Sequence, residues 1–265
     1  MTATLTLTPH PASGLPDGLG GRASEDAPAL VAVAHGSRDP AALRTVTALL
    51  ARVRAARPGL RVELGHIEID EPALADTLGA LNHGDGAVLV PLLFGRGYHV
   101  QHDIPRALAG APHLRTALAA PLGPHPLLAA ALHDRLLEAG WNGLARTGPA
   151  AVVLASAGSR APESADSMER VAHQLSERLG GGTPVVPAYA SAAGPTVPEA
   201  VRALRARGHR RIALASCFTA PGHFAARCAA VAPGIAAAPI GAHPALARLV
   251  LHRYDEARAA APVRA

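Results

Sequence analysis

The chain has 265 residues, 49% hydrophobic and only 3% aromatic, and its formal net charge of +5 rests on arginine alone, for it contains no lysine. That length suits one large domain or two ordinary ones, with a core of Ala, Val, Leu and Ile that favours helices packed on a sheet over an aromatic-rich sandwich. No apolar stretch reaches about 18 residues unbroken, so no membrane span is expected. No dense basic run interleaves with aromatics, which points away from nucleic acid, and the positive balance suits a small anionic ligand. Cys217 and Cys228 are too few and too far apart for a zinc knuckle or a disulfide framework, and read as reduced thiols in a cytoplasmic protein.

Residues 1–28 are rich in Gly, Pro, Ser and Thr and predict a flexible tail; they lack the basic start and apolar middle of a secretory signal. The run ALVAVAH, 29–35, then predicts a buried strand. Apolar residues at helical spacing (Leu43, Val46, Leu49, Leu50, Val53) predict a helix, with Asp39 and Pro40 as cap and first turn. RVELGHIEI, 61–69, alternates like a strand, and EPALADTLGALNHG, 71–84, predicts a helix stopped by Gly84. GAVLVPLLF, 86–94, is a second buried strand. A helix is expected to start between Val100 and Pro105 and to run toward Leu108, with Asp103 as its cap. A weak strand lies within 114–122, and HPLLAAALHDRLLEAG, 125–140, is a strong helix. This alternation predicts a mostly parallel sheet of roughly four strands covered on both faces. WNGLARTGP, 141–149, then breaks the pattern as a linker.

The second half replays the first. LVAVAHGSR, 30–38, matches VVLASAGSR, 152–160; LLFGRGYH, 92–99, is echoed by SCFTAPGH, 216–223; and LGPHPLLAAALHDRLLEA, 122–139, by IGAHPALARLVLHRYDEA, 240–257. The offsets lie between 118 and 124 residues, so the chain reads as two copies of one α/β unit, 29–141 and 150–258, each long enough for an independent core.

In open α/β sheets, ligands bind beyond the carboxyl ends of the strands. His35 ends the first strand, Glu68 lies near the end of the second, and His99 follows the third. Two imidazoles and a carboxylate suit a borderline divalent ion such as Fe²⁺, Co²⁺, Ni²⁺ or Zn²⁺; the plainer alternative is three unrelated polar loops. His125 and His243 precede Pro at helix starts in both copies and read as architecture, whereas His66, His83, His102 and His113 read as surface or loop residues.

HGSRDP after the first strand and PLLFGRGYHVQHDIP after the third closely resemble the sirohydrochlorin chelatase family. The resemblance covers nearly all of the chain after the tail. It implies the class II chelatase fold, in which two related α/β halves face each other across a cleft. It also implies ATP-independent insertion of a divalent metal, as substrate, into a cyclic tetrapyrrole, with no organic cofactor. The family's metal-binding histidines fall on His35 and His99, and its acidic partner on Glu68, with Asp70 and Glu71 as competing neighbours. Metal insertion strips water from the ion and removes two pyrrole protons. Neutral imidazoles hold an ion loosely or accept a proton, and a closed tetrahedral cage would trap it. The family's substrate carries many carboxylates, for which Ser37, Arg38, Arg96 and Arg160 are the expected partners.

The second copy departs from this pattern. Ala157 stands in the place of His35 and Ser191 in that of Glu68, while His223 survives opposite His99. The second half is therefore expected to be the other cleft wall, with His223 as an auxiliary proton carrier or ligand and no complete second metal site. Iron(II) insertion into sirohydrochlorin, giving sirohaem, is the expected lyase activity. Cobalt or nickel insertion toward a corrinoid and a non-catalytic tetrapyrrole or metal carrier are the alternatives. The expected protein is a cytoplasmic monomer or homodimer without nucleic-acid or membrane partners.

Overall fold

A computed structural model describes residues 27–142 and 148–260. Most of the predicted tail and the centre of the predicted linker lie outside the described residues. The first half builds a fully parallel four-stranded sheet in the order β2-β1-β3-β4, from β1 (Ala29–Ala34), β2 (Val62–His66), β3 (Gly86–Pro91) and β4 (Arg115–Leu118). Its helices are α1 (Pro40–Ala56), α2 (Leu74–Gly79), α3 (Ile104–Ala109) and α4 (Pro126–Glu138), with one π-helical turn at His99–Asp103 ahead of α3. Strand β1 is buried at every residue because helices cover both faces, which is why its sequence is an apolar run without alternation. The side chain of Asp39 accepts from the Ala41 N–H and Pro40 opens α1, as the spacing predicts.

Among the described residues the second half has three strands where roughly four are expected. They are β5 (Ala150–Ser156), β6 (Val185–Tyr189) and β7 (Arg211–Ser216), in the order β6-β5-β7. In place of a fourth strand, one isolated bridge joins Leu214 to Ala236. Pro233 and Pro239 flank it, and a residue without an N–H cannot extend a ladder. Helices α5 (Pro162–Arg178), α6 (Val197–Ala206), α7 (His223–Ala230) and α8 (Pro244–Ala260) complete the half.

The halves do not keep separate cores. Helix α4 closes the first half but packs on β7 of the second, while α8 closes the second and packs on β3 and β4 of the first. The two also pack on each other, and α1 packs on α8 and α5 on α4. One buried cluster therefore runs from Leu30 and Leu49 through Leu132 to Leu154, Leu246 and Tyr254, and only the outer face of each sheet has an apolar cluster of its own. The expectation of an independent core in each copy is corrected accordingly. Near-symmetric clasps secure the exchange: the Arg135 guanidinium donates to the Ile240 carbonyl, and that of Arg253 to the Pro124 carbonyl. Arg57 adds a two-pronged pair with Asp255 at 2.6 and 2.7 Å, which holds the Asp255 carboxyl below its ordinary value.

His125 and His243 are architectural, as expected. Each ring accepts a backbone N–H two residues on, from Leu127 and Ala245 respectively, and so caps α4 or α8. A ring that accepts at Nδ1 loses its cap when that nitrogen is protonated. Burial first, then neighbouring cations, lowers both pKa values; Arg253, His252 and Glu256 face His125, and Arg135, Asp134, Glu138 and Arg248 face His243. With depressed folded values, the unfolded chain binds more protons in acid. The caps' contribution is thus full above the ordinary value of 6.5 and is lost as pH falls from there through the folded values. Urea midpoints measured between pH 7.5 and 5 are expected to fall, and His125→Asn with His243→Asn, which keeps an accepting cap without titration, is expected to flatten that fall.

Candidate metal centre

In the order β2-β1-β3-β4 the strand order reverses between β1 and β3, with all strands parallel, and a crevice opens at such a point beyond the carboxyl ends. The loops after these two strands carry His35 and His99. Their rings meet edge to face, with centroids 4.7 Å apart. Both line a cleft between the halves, with a cavity volume of about 1460 Å³, larger than a bare ion needs and ample for a macrocycle. The second half supplies the other wall at its matching point, between β5 and β7, with Ala157, Ser159, Arg160 and His223.

Each imidazole has one nitrogen engaged by an oxygen. Nδ1 of His35 lies 3.2 Å from the Gly36 carbonyl, and Nδ1 of His99 lies 2.6 Å from Oδ2 of Asp103. A carbonyl or a carboxylate only accepts, so Nδ1–H is the donor in both rings, and in the neutral ring Nε2 carries the lone pair. Asp103 is therefore not the helix cap expected of it; its side chain makes no capping bond to α3.

Ser37, Arg38, Arg160 and His223 also line the cleft, while Glu68 and Arg96 do not. Strand β2 ends at His66 rather than Ile69. The Glu68 N–H still pairs with the His35 carbonyl, but the chain then turns at Ile69, φ +71°, and the Glu68 side chain is exposed. Ile69 and Asp70 reach the cleft instead. Among the described residues no three His, Cys, Asp or Glu side chains converge as a ligand set, so the expected His35–Glu68–His99 trio reduces to its two imidazoles. Arg96 is exposed between Gly95 and Gly97, which themselves abut Ser164 and Ser159 of the other half.

Asp70 has a role that the spacing did not reveal: its Oδ2 accepts from the Ser37 N–H at 2.9 Å, tying the loop after β1 to the loop after β2. That N–H is thereby unavailable to an anion, and the Ser37 hydroxyl already accepts from the Asp39 N–H at 3.1 Å. Only the hydroxyl proton remains free for a carboxylate. His66 and His102 were expected to be loop or surface residues. His66 is 2% exposed and its Nδ1 pairs with the Pro72 carbonyl, whereas His102 is exposed at the cleft, stacked on Tyr98 at 4.5 Å. Burial pushes the Cys217 thiol up to about 12, so this cleft-lining residue stays protonated and offers no thiolate.

Of the six large hydrophobic residues most exposed among the described ones, four (Leu43, Ile69, Tyr98 and Phe224) line this cleft, together with the exposed cations Arg38 and Arg160. Exposed apolar side chains and cations thus share one cleft.

Two parallel α/β halves facing a cleft with paired imidazoles define the class II chelatase fold. Solved structures agree: SirB from Bacillus subtilis with Fe³⁺ superposes with a TM-score of 0.69 at 24% identity, covering 86% of this chain and 94% of that one. CbiX described as the terminal enzyme for biosynthesis of siroheme in denitrifying bacteria gives 0.63 at 23%, covering 86% and 99%. The CbiX family model matches residues 29–139 and again 151–257, and the chain belongs to this family of sirohydrochlorin chelatases. A sirohydrochlorin cobaltochelatase from Sulfurisphaera tokodaii is 34% identical over 79 residues, which are 29% of this chain and span 66% of that relative's length.

Proposed function

We propose that the protein inserts a divalent metal, without ATP, into sirohydrochlorin, and that iron(II) is the ion and sirohaem the product. The observation that carries this reading is the pair of imidazoles, His35 and His99, in edge-to-face contact and lining a cleft large enough for a macrocycle. Two neutral nitrogen donors hold an ion less tightly than a closed four-ligand site, so the macrocycle nitrogens can take it over. The two protons released from the pyrroles need acceptors. The imidazoles provide them once the ion has left, and His223 on the opposite wall provides another. Arg38 and Arg160, related by the repeat and both exposed at the cleft, pair with peripheral carboxylates; the Ser37 hydroxyl adds a donor. Glu68 and Arg96 serve only if their loops turn inward when substrate binds. The reaction belongs to a cytoplasmic lyase acting as a monomer or homodimer.

Iron is favoured by the neighbour described in siroheme biosynthesis, whereas SirB is solved both with Fe³⁺ and with cobalt. The sequence relatives named as sirohydrochlorin cobaltochelatases support the second reading, cobalt insertion toward a corrinoid. The imidazole pair suits either ion. Anaerobic initial rates with Fe²⁺, Co²⁺ and Ni²⁺, followed by absorbance of sirohydrochlorin against the protein-free mixture, separate them. The largest acceleration is expected with iron. A larger one with cobalt reassigns the metal, and equal rates with and without protein for all three ions favour a carrier.

A further inference from the structure

We propose that Asp103 is the positioning residue of the metal site: it locks His99 as the Nδ1–H tautomer, so that Nε2 is always the nitrogen presented to the ion. The inference rests on the chelatase reading for its consequence, but its geometry stands apart from it. The Asp103 carboxylate lies 2.6 Å from Nδ1 of His99, with the two side chains 33% and 26% exposed, so the bond is partly shielded from competing water. The local fold builds this contact. Ile104 N–H bonds the His99 carbonyl five residues back, making the widened π-helical turn, and Pro105 next to it has no N–H to restore α-helical bonding. His99 and Asp103 thereby stand one above the other on the wall of the turn, and Asp103 is left without a capping role.

Without a partner, an imidazole in water interconverts between two tautomers, and the wrong one offers an N–H where the ion needs a lone pair. His35 is held in the same form by the Gly36 carbonyl. The two rings therefore present matched Nε2 donors, and the carboxylate strengthens donation from the His99 ring. Asp103 also lines a cavity of about 370 Å³ with His66, Arg106 and His113, and among the described residues its carboxylate has its hydrogen bond with His99.

The test uses protein with ¹⁵N-labelled histidine, free of metal, and two-bond ¹H–¹⁵N spectra. His99 is expected in the Nδ1–H form in the parent chain. In Asp103→Ala it is expected to populate both tautomers while His35 keeps its own, and titration with Co²⁺ alone, read from the visible absorption of the bound ion, should weaken by about 10- to 100-fold. Asp103→Asn, which keeps an accepting oxygen at the same place, is expected to restore most of the Nδ1–H form and part of the Co²⁺ affinity. An unchanged His99 tautomer in Asp103→Ala, or Co²⁺ affinity within twofold of the parent, overturns the proposal. So does a loss of the His35 signature together with that of His99, which would mean general collapse of the site. Failure of the parent chain to accelerate metal insertion would sink the chelatase reading but leave the tautomer measurement intact.

Discussion

His99→Ala is expected to abolish the acceleration of metal insertion, lowering the rate by about 100-fold or more toward that of the protein-free mixture. The substitution removes one of two imidazoles in contact and leaves His35 as a single donor, with no third ligand among the described residues to compensate. His102→Ala, three residues along the same turn, is expected to keep the rate within about twofold, as surface substitutions usually do. The His102 ring is exposed, stacks on Tyr98, and turns its Nδ1 toward the Tyr98 carbonyl. Initial rates of the two variants, measured beside thermal melts, decide the matter. Equal losses in both would mean that the ring at 99 has no special place in the chemistry.

The second large effect concerns the backbone beneath His35. Gly36 has φ +99°, and a Cβ built there would lie 1.8 Å from the Glu68 carbonyl oxygen. Gly36→Ala is expected to cost about 3–5 kcal/mol, combining a disfavoured backbone with a clash that has no flexible side chain to yield. Melting should fall on the order of 10 °C. The loop must move to admit the methyl group, and His35 and Ser37 move with it, so Co²⁺ binding should be lost as well. Gly158 repeats the geometry in the second half, with φ +90° and a Cβ 1.9 Å from the Ser191 carbonyl oxygen. Gly158→Ala is therefore expected to lower the melting temperature comparably while keeping Co²⁺ binding, because Ala157 holds the position that His35 holds in the first half. Loss of Co²⁺ binding in both variants would place a ligand in the second half; an unaltered melt for Gly36→Ala would contradict the close approach itself.

These two glycines show how far the repeat was legible. Matching HGSR with AGSR and aligning the copies puts Ser191 opposite Glu68, and the backbone repeats to that level of detail. Glu68 bonds back to the His35 carbonyl as Ser191 does to that of Ala157, and Ile69 and Ala192 both follow with positive φ. The imidazoles were legible for a related reason. A buried parallel strand is a continuous apolar run, so the first polar residue after it marks the sheet edge, and His35 stands there. The Glu68 side chain was not legible, because a strand that alternates to Ile69 in sequence leaves its ladder at His66, and the turn at Ile69 decides which way the carboxylate goes. Asp103 departs from the expected cap for a similar cause. An Asp ahead of Ile-Pro fits a cap, and only the π-helical turn brings it against His99 instead.

The amino-acid order by itself determined that this protein is a duplicated α/β unit, which strands are buried, and that histidines follow two of them. All of these are local or periodic properties, set by hydrophobic spacing and by residues close in the chain. The tertiary structure decided that α4 and α8 change places between the sheets, that His35 and His99 touch while Glu68 turns away, and that Arg38 and Arg160 line one cleft. The physical reason is that an apolar helix face records the need for a buried partner without naming it, and a side chain's direction depends on backbone turns that only long-range packing selects.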